Sequence, residues 1–244
     1  MKFPGPLERG TLVARYKRFL ADVRLPDGSV VTIHCPNTGS MKHCAEPGDE
    51  VWFSTSDNPK RKYRHTWELS RTPRGHYIGI NTGRANGIIE HAISSGAIAS
   101  LAGYRHLRRE QRYGEENSRI DILLEGHDRL PDCYVEVKSV TLLEAPVSRG
   151  VGYFPDAVSS RASRHLRELS AVATSGQRAV LCFCVQHSGV REVRPADHID
   201  PEYAEALRSA ARAGVEVMAW KARLSPSSIR VSSELPVNLE GSGS

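Results

Sequence analysis

Ser118-Arg119-Ile120-Asp121-Ile122-Leu123-Leu124 and, a short gap later, Cys133-Tyr134-Val135-Glu136-Val137-Lys138 decide how this chain is read. Each run is strand-like and carries one acid among β-branched and apolar residues. Side chains two apart on a strand share a face, so Glu136 and Lys138 project together. If the two runs pair as a hairpin, Asp121 joins them. One acid on each of two adjacent strands makes a cradle for Mg²⁺, which takes hard oxygen ligands and keeps several waters. A lysine beside it can orient or deprotonate a metal-bound water, or offset the charge of a phosphate.

Glu-x-Lys also occurs on exposed strand faces as a plain solvated charge pair. The flanks here weigh against that: Val135 and Val137 surround Glu136, and Ile120 and Ile122 surround Asp121. Acids inside such runs read as parts of central strands. An Asp followed by Glu-x-Lys on the next strand resembles the core of the PD-(D/E)XK nucleases. That resemblance implies Asp121 and Glu136 as ligands of Mg²⁺ or Mn²⁺, Lys138 as the residue that positions the attacking water, and a further acid from the preceding helix. Glu90, in Gly87-Ile88-Ile89-Glu90-His91, is the candidate by position, with an exposed helix glutamate as the alternative.

At 244 residues the chain can bury a real core and hold one or two domains. No apolar run approaches the ~18 residues of a membrane span, and Met1-Lys2-Phe3-Pro4-Gly5-Pro6 is not the start of a signal peptide. No membrane partner is therefore expected. Five cysteines are an odd number, and none forms a Cys-x-x-Cys pair. Cys182 and Cys184 sit in an apolar run and read as small core residues. A reducing, cytoplasmic location fits them. His34-Cys35 and His43-Cys44 match no common zinc spacing.

The charge is unevenly placed. Residues 1–82 hold 13 Lys/Arg against 8 Asp/Glu, which accounts for the whole +5 of the chain. The basic residues cluster at Arg15-Tyr16-Lys17-Arg18 and at Lys60-Arg61-Lys62-Tyr63-Arg64. Positive charge interleaved with tyrosine is a footprint for phosphates, with rings for stacking on bases. An ordinary solvated surface is the alternative.

Residues 1–82 read as five or six short strands divided by turns such as Pro26-Asp27-Gly28-Ser29. That pattern predicts a small OB-like β-barrel, a type that commonly binds single-stranded nucleic acid or oligosaccharide. Residues 83–238 read as helix, strands, helix, strand, helix, strand, an α/β domain. The expected helices span 84–94, 156–174 and 201–213, with Asp200 as N-cap ahead of Pro201. On the second of these, Arg161, Arg164, His165 and Glu168 share a face. Arg161 and Arg164 could form a phosphate-facing ridge there, or the face could simply be solvated. Val215 to Trp220 reads as an edge strand open to a homodimer. Residues 239–244 read as a tail outside the fold.

Several segments together resemble the sugar fermentation stimulation protein A (SfsA) family. They include His34-Cys35-Pro36-Asn37-Thr38-Gly39, Asn58-Pro59-Lys60-Arg61-Lys62-Tyr63, Tyr113-Gly114 with Asn117-Ser118-Arg119-Ile120-Asp121, and Phe154-Pro155-Asp156-Ala157. The resemblance runs in order from Phe3 to about Trp220. One departure is visible at Ser160-Arg161-Ala162, where many members carry Gly. The resemblance implies an OB-like domain, a PD-(D/E)XK-like domain, DNA binding, and a link to regulation of sugar (maltose) metabolism. Three functions stay open: a metal-dependent nuclease, a non-catalytic DNA-binding regulator with a vestigial core, and an RNA or nucleotide phosphohydrolase.

Overall fold

The computed structural model describes residues 1–114 and 118–240; Asn117 and residues 241–244 lie outside it. Its first part contains strands β1 (Glu8–Tyr16), β2 (Leu20–Arg24), β3 (Val30–His34), β4 (Glu50–Thr55), β5 (His65–Arg71) and β6 (Tyr77–Gly79). They form one sheet in the order β3-β2-β1-β4-β5-β6. A parallel bridge from His34 on β3 to Thr66 on β5 closes it into a barrel. Alternation fills the interior: Leu12, Val23, Ile33, Val51, Phe53 and Trp67 are all buried. Closure removes the exposed sheet edges that so short a set of strands would otherwise leave.

Helix α1 (Ala85–Ser94) follows, then β7 (His106–Tyr113), β8 (Ser118–Glu125) and β9 (Cys133–Val140). After them come β10 (Leu142–Leu143), β11 (Val151–Phe154), α2 (Ser160–Thr174), β12 (Arg178–Val185) and β13 (Glu192–Pro195). The last elements are α3 (Pro201–Arg212), β14 (Glu216–Ser225) and β15 (Ser228–Leu235). Six of these strands make a sheet ordered β15-β14-β12-β9-β8-β7. Its centre is parallel, β9 with β12 and β12 with β14, whereas β8 runs antiparallel to β9. α1 covers one face through Ile88, Ile89 and Ala92. α2 and α3 cover the other through Leu166, Leu169, Tyr203 and Leu207. A sheet covered on both faces needs strands that are apolar throughout, and β12 is buried along nearly its whole length.

Three expectations are corrected. α2 starts at Ser160 rather than Asp156, because the Ser159 side chain caps it by accepting from the Ala162 N–H. Asp200 caps α3 as expected, through the Tyr203 N–H, and its other oxygen takes the Ser159 N–H, so one buried carboxylate anchors the starts of two helices. The edge expected at residues 215–220 is partly covered, because β15 pairs with β14 from Ala219 to Ser225. The tail expected from residue 239 also begins too early. Leu239 packs on the α2–α3 side of the core, and its carbonyl accepts from Arg208.

The two parts are joined by buried contacts. Trp52 and Leu69 of the barrel pack into the core under α1. Met1 pairs with Ile229 at the start of β15, so the first residues belong with the second sheet. Glu68 on β5, only 2 % exposed, receives Arg84 just ahead of α1 at 2.5 and 2.6 Å, and also Ser54 and Asn81. A buried carboxylate with a two-pronged arginine is held well, but removing the arginine strands its charge. Arg84→Met is therefore expected to cost about 3–5 kcal/mol in urea unfolding. The double variant Arg84→Met/Glu68→Met should recover most of that loss, and an equal loss in both would contradict this role for the pair.

Candidate active site

Strands β7 and β8 reverse their faces at one point. Arg109 pairs with Ile122 and Gln111 with Ile120, but Glu110 and Asp121 between them are out of the ladder. Glu110 takes a left-handed φ of 54°. Ile120 and Ile122 would share a face on a regular strand. Here Ile122 packs under α1 and Ile120 under α2. The regular pairing of β8 with β9 also stops at Ile122–Val135. The side chain of Asp121 takes over, with its Oδ2 accepting the Val137 N–H at 2.7 Å. Oδ1 accepts from Asn86 Nδ2 on α1 at 2.8 Å. Asp121 is thus held in the line of the sheet where the strand parts from its neighbour.

Glu136 is 1 % exposed on β9. Its Oε1 accepts from Lys138 Nζ at 2.7 Å and from His165 Nδ1 on α2. Arg161 Nε lies 3.5 Å from the other ring nitrogen of His165, Nε2, which fits a ring with its proton on Nδ1. Lys138 and His165 thus hold one oxygen from two sides. Oε2 is buried and has no hydrogen-bond partner among the described residues.

The two acids are pushed in opposite directions. Burial and the Glu136 charge raise the Asp121 carboxyl, and the Val137 N–H, Lys138 and Asn86 only partly offset them. Burial also raises Glu136, but the His165 hydrogen bond and Lys138 outweigh it and leave Glu136 below the ordinary glutamate range. Tyr113, at the end of β7, is buried and its hydroxyl has no partner among the described residues. Burial, then the charges of Glu136, Glu168 and Asp121, push its phenol far up. Three acids therefore converge electrostatically on this ring.

The residues present fit a divalent cation. Oε2 of Glu136 is an orphaned buried acceptor, and each Asp121 oxygen accepts only one hydrogen bond and keeps a lone pair. Among the described residues no three His, Cys, Asp or Glu side chains group tightly enough to hold a metal alone. Two carboxylates with the remaining positions left to water and phosphate is the habit of Mg²⁺. Zn²⁺, which wants four protein ligands in a structural site, has no such set among the described residues. All five cysteines are buried and unpaired.

Other sequence candidates lie elsewhere. Glu90 sits one turn beyond Asn86 on α1, and its carboxylate faces Arg109 at 3.5 Å. Asn86, not Glu90, is the α1 side chain that reaches Asp121. The α2 face with His165 and Glu168 is neither a solvated face nor a ridge of free charges. Both residues are buried, Arg164 is half-buried, and only Arg161 is exposed. Gly114 passes so close over Glu168 that a Cβ would lie 2.4 Å from Oε1, and its φ is 67°, so both space and backbone favour glycine at this crossing. On the barrel, Arg15 spends its guanidinium on the carbonyls of Arg18, Asn37 and Gly39, and Tyr16 donates to Asp22. Those two residues brace the barrel. Lys17, Arg18, Lys60, Arg61 and Lys62 are exposed, and Lys62 lies over the ring of Tyr63 at 5.6 Å.

The opposed shifts predict opposed variants in chelator at pH 7. Asp121 binds its proton more tightly folded than unfolded. Its ionisation therefore costs stability, a cost absent below the ordinary value of 3.8 and complete above its raised folded value. Glu136 contributes stability that is complete above the ordinary 4.5 and lost as pH falls through its lowered folded value. Asp121→Asn is expected to raise the calorimetric melting temperature and Glu136→Gln to lower it, at about 2–4 °C per kcal/mol. A fall in both variants would contradict this electrostatic account.

Comparison with known proteins agrees with this two-part fold. A family model described as the Sugar fermentation stimulation protein RE domain matches residues 83–228, and the SfsA N-terminal OB domain matches residues 13–80. A sugar fermentation stimulation protein homolog from Shewanella frigidimarina (strain NCIMB 400) is 59% identical over 239 residues, covering 98% of this chain and 100% of the relative. The homolog from Shewanella loihica (strain ATCC BAA-1088 / PV-4) matches to the same extent. The solved structure of Pyrococcus furiosus SfsA in complex with Ca²⁺ superposes with a TM-score of 0.85 at 29% identity, over 98% of each chain. With an OB-like barrel followed by a PD-(D/E)XK-like α/β domain, the chain belongs to the sugar fermentation stimulation protein family.

Proposed function

We propose that this chain is a DNA-binding protein whose α/β domain carries a divalent-cation-dependent site for phosphodiester hydrolysis, built on Asp121, Glu136 and Lys138. The observation that carries this reading is the buried Oε2 of Glu136, without a hydrogen-bond partner among the described residues, beside a second carboxylate pushed up by burial and by that neighbour. Two acids alone would repel both each other and the phosphate they face. A bound Mg²⁺ or Mn²⁺ reverses that sign, polarises a phosphoryl oxygen and acidifies its water. The relative from Pyrococcus furiosus, solved with Ca²⁺, supports a divalent cation in this architecture.

The remaining roles belong to the chain. His165 and Lys138 fix the rotamer of Glu136, and Asn86 with the Val137 N–H fixes Asp121, so both acids are set before substrate arrives. Lys138 keeps Glu136 ionised and is itself only 18% exposed, at the rim of the site. From there its other N–H groups can orient the attacking water or a nonbridging oxygen. The exposed basic residues at 17–18 and 60–62 supply a phosphate-tracking surface on the barrel. A cytoplasmic location fits five buried thiols.

Labelled single- and double-stranded DNA and RNA, incubated with Mg²⁺ or Mn²⁺, test the reading. The wild type should cleave, with DNA the expected substrate, and Glu136→Ala should slow cleavage at least about a hundredfold. Cleavage that survives Glu136→Ala would remove the site. Binding without any cleavage would instead favour a regulator of sugar metabolism that keeps its nuclease-like core for grip.

The barrel surface has its own test in Lys60→Gln/Arg61→Gln/Lys62→Gln. Binding should weaken, and the slope of log affinity on log salt should shrink by about two on single-stranded DNA. An unchanged slope would exclude this loop as a phosphate contact.

A further inference from the structure

A cavity of about 500 Å³ opens on the barrel beside the Lys60–Tyr63 loop. The start of the chain, Pro4 to Pro6, forms one wall, and the ends of β3 and β4 form others. This lies within the size range of small-ligand sites and is far too narrow for a base-paired duplex. Its charge is set by three residues. Arg84 and Glu68 neutralise each other, which leaves Arg61 as the uncompensated cation among the described residues that line the cavity. One net positive charge matches one phosphodiester. Arg61 is steered across the cavity by its bond to Thr66 Oγ1 at 3.1 Å.

The walls can also read a base. Pro4, Pro6 and Pro36 give flat apolar surfaces, and Ser56 adds a hydroxyl. His34 lines the cavity, and its Nδ1 is buried without a hydrogen-bond partner among the described residues. Burial and the Arg61 charge hold His34 below the ordinary imidazole range, so at pH 7 the neutral ring offers one donor and one acceptor. Just outside, Tyr63 is half-buried in the exposed basic loop, available to a neighbouring base.

We propose that this cavity seats one unpaired nucleotide of a single strand, its phosphate on Arg61 and its base edge on His34. The proposal rests on the barrel being a nucleic-acid interface and names the class of strand it takes. It makes the barrel a reader of unpaired DNA, which would deliver single-stranded or locally opened substrate to the α/β domain.

Fluorescence anisotropy with a labelled single-stranded DNA and a duplex of the same length tests it on the full chain in chelator. The wild type should bind the single strand about tenfold more tightly, roughly 1.4 kcal/mol. His34→Phe, which keeps the ring volume and loses both hydrogen-bonding atoms, should cut that preference below about threefold and leave duplex affinity unchanged. His34→Gln, which restores a donor and an acceptor, should keep the preference. Equal wild-type affinity for both strands, or equal weakening of both by His34→Phe, would overturn the pocket while leaving the barrel as a phosphate-binding surface. Binding of neither would overturn the interface itself.

Discussion

A carboxylate in the middle of a sheet covered on both faces is costly unless donors meet it there. Glu136 is such a group, and the surroundings of the site follow from what it requires. Lys138 comes from the same face of the same strand, and His165 comes from the helix packed above it. Together they satisfy one oxygen and keep the group charged. They leave the other oxygen buried with no donor among the described residues, an arrangement that a purely structural ion pair has no reason to keep. Asp121 stands beside it at the one place where β8 departs from β9.

That departure is where fold and site are the same object. If β8 continued regularly past Ile122, a backbone carbonyl would meet the Val137 N–H and Asp121 would be an ordinary strand residue. The left-handed turn at Glu110 and the face reversal between Ile120 and Ile122 free the aspartate to replace that carbonyl. The two cores then lock the reversal, because each isoleucine is buried on its own side. A locally irregular backbone at a functional site is tolerated when the packing around it overdetermines it.

Much of this was legible from sequence. Alternation and turn residues gave a barrel of five or six short strands, and the apolar runs around Asp121, Glu136 and Cys182 gave central strands. Asp200 ahead of Pro201 marked α3. β10, β11 and β13 were missed because they are only two to four residues long, and a pattern that short carries no period. β15 was missed because its exposed Ser and Arg residues look like loop. Within the site, His165 was visible only as a member of a helix face, since nothing local says that the face turns inward onto Glu136. Glu90 is the candidate by position for an acid from the preceding helix, yet the side chain that reaches Asp121 is the amide of Asn86, one turn earlier. Arg15 looked like a phosphate ligand, and only the fold brings the carbonyls of Asn37 and Gly39 to it.

The most direct measurement is a crystal structure of the protein soaked in Mn²⁺, with the ion located by its anomalous scattering. The account predicts a peak bound by Glu136 Oε2 and a carboxylate oxygen of Asp121, with Lys138 and His165 still on Oε1. A saturating soak with no peak between these two acids, or an ion held by other residues, would contradict it.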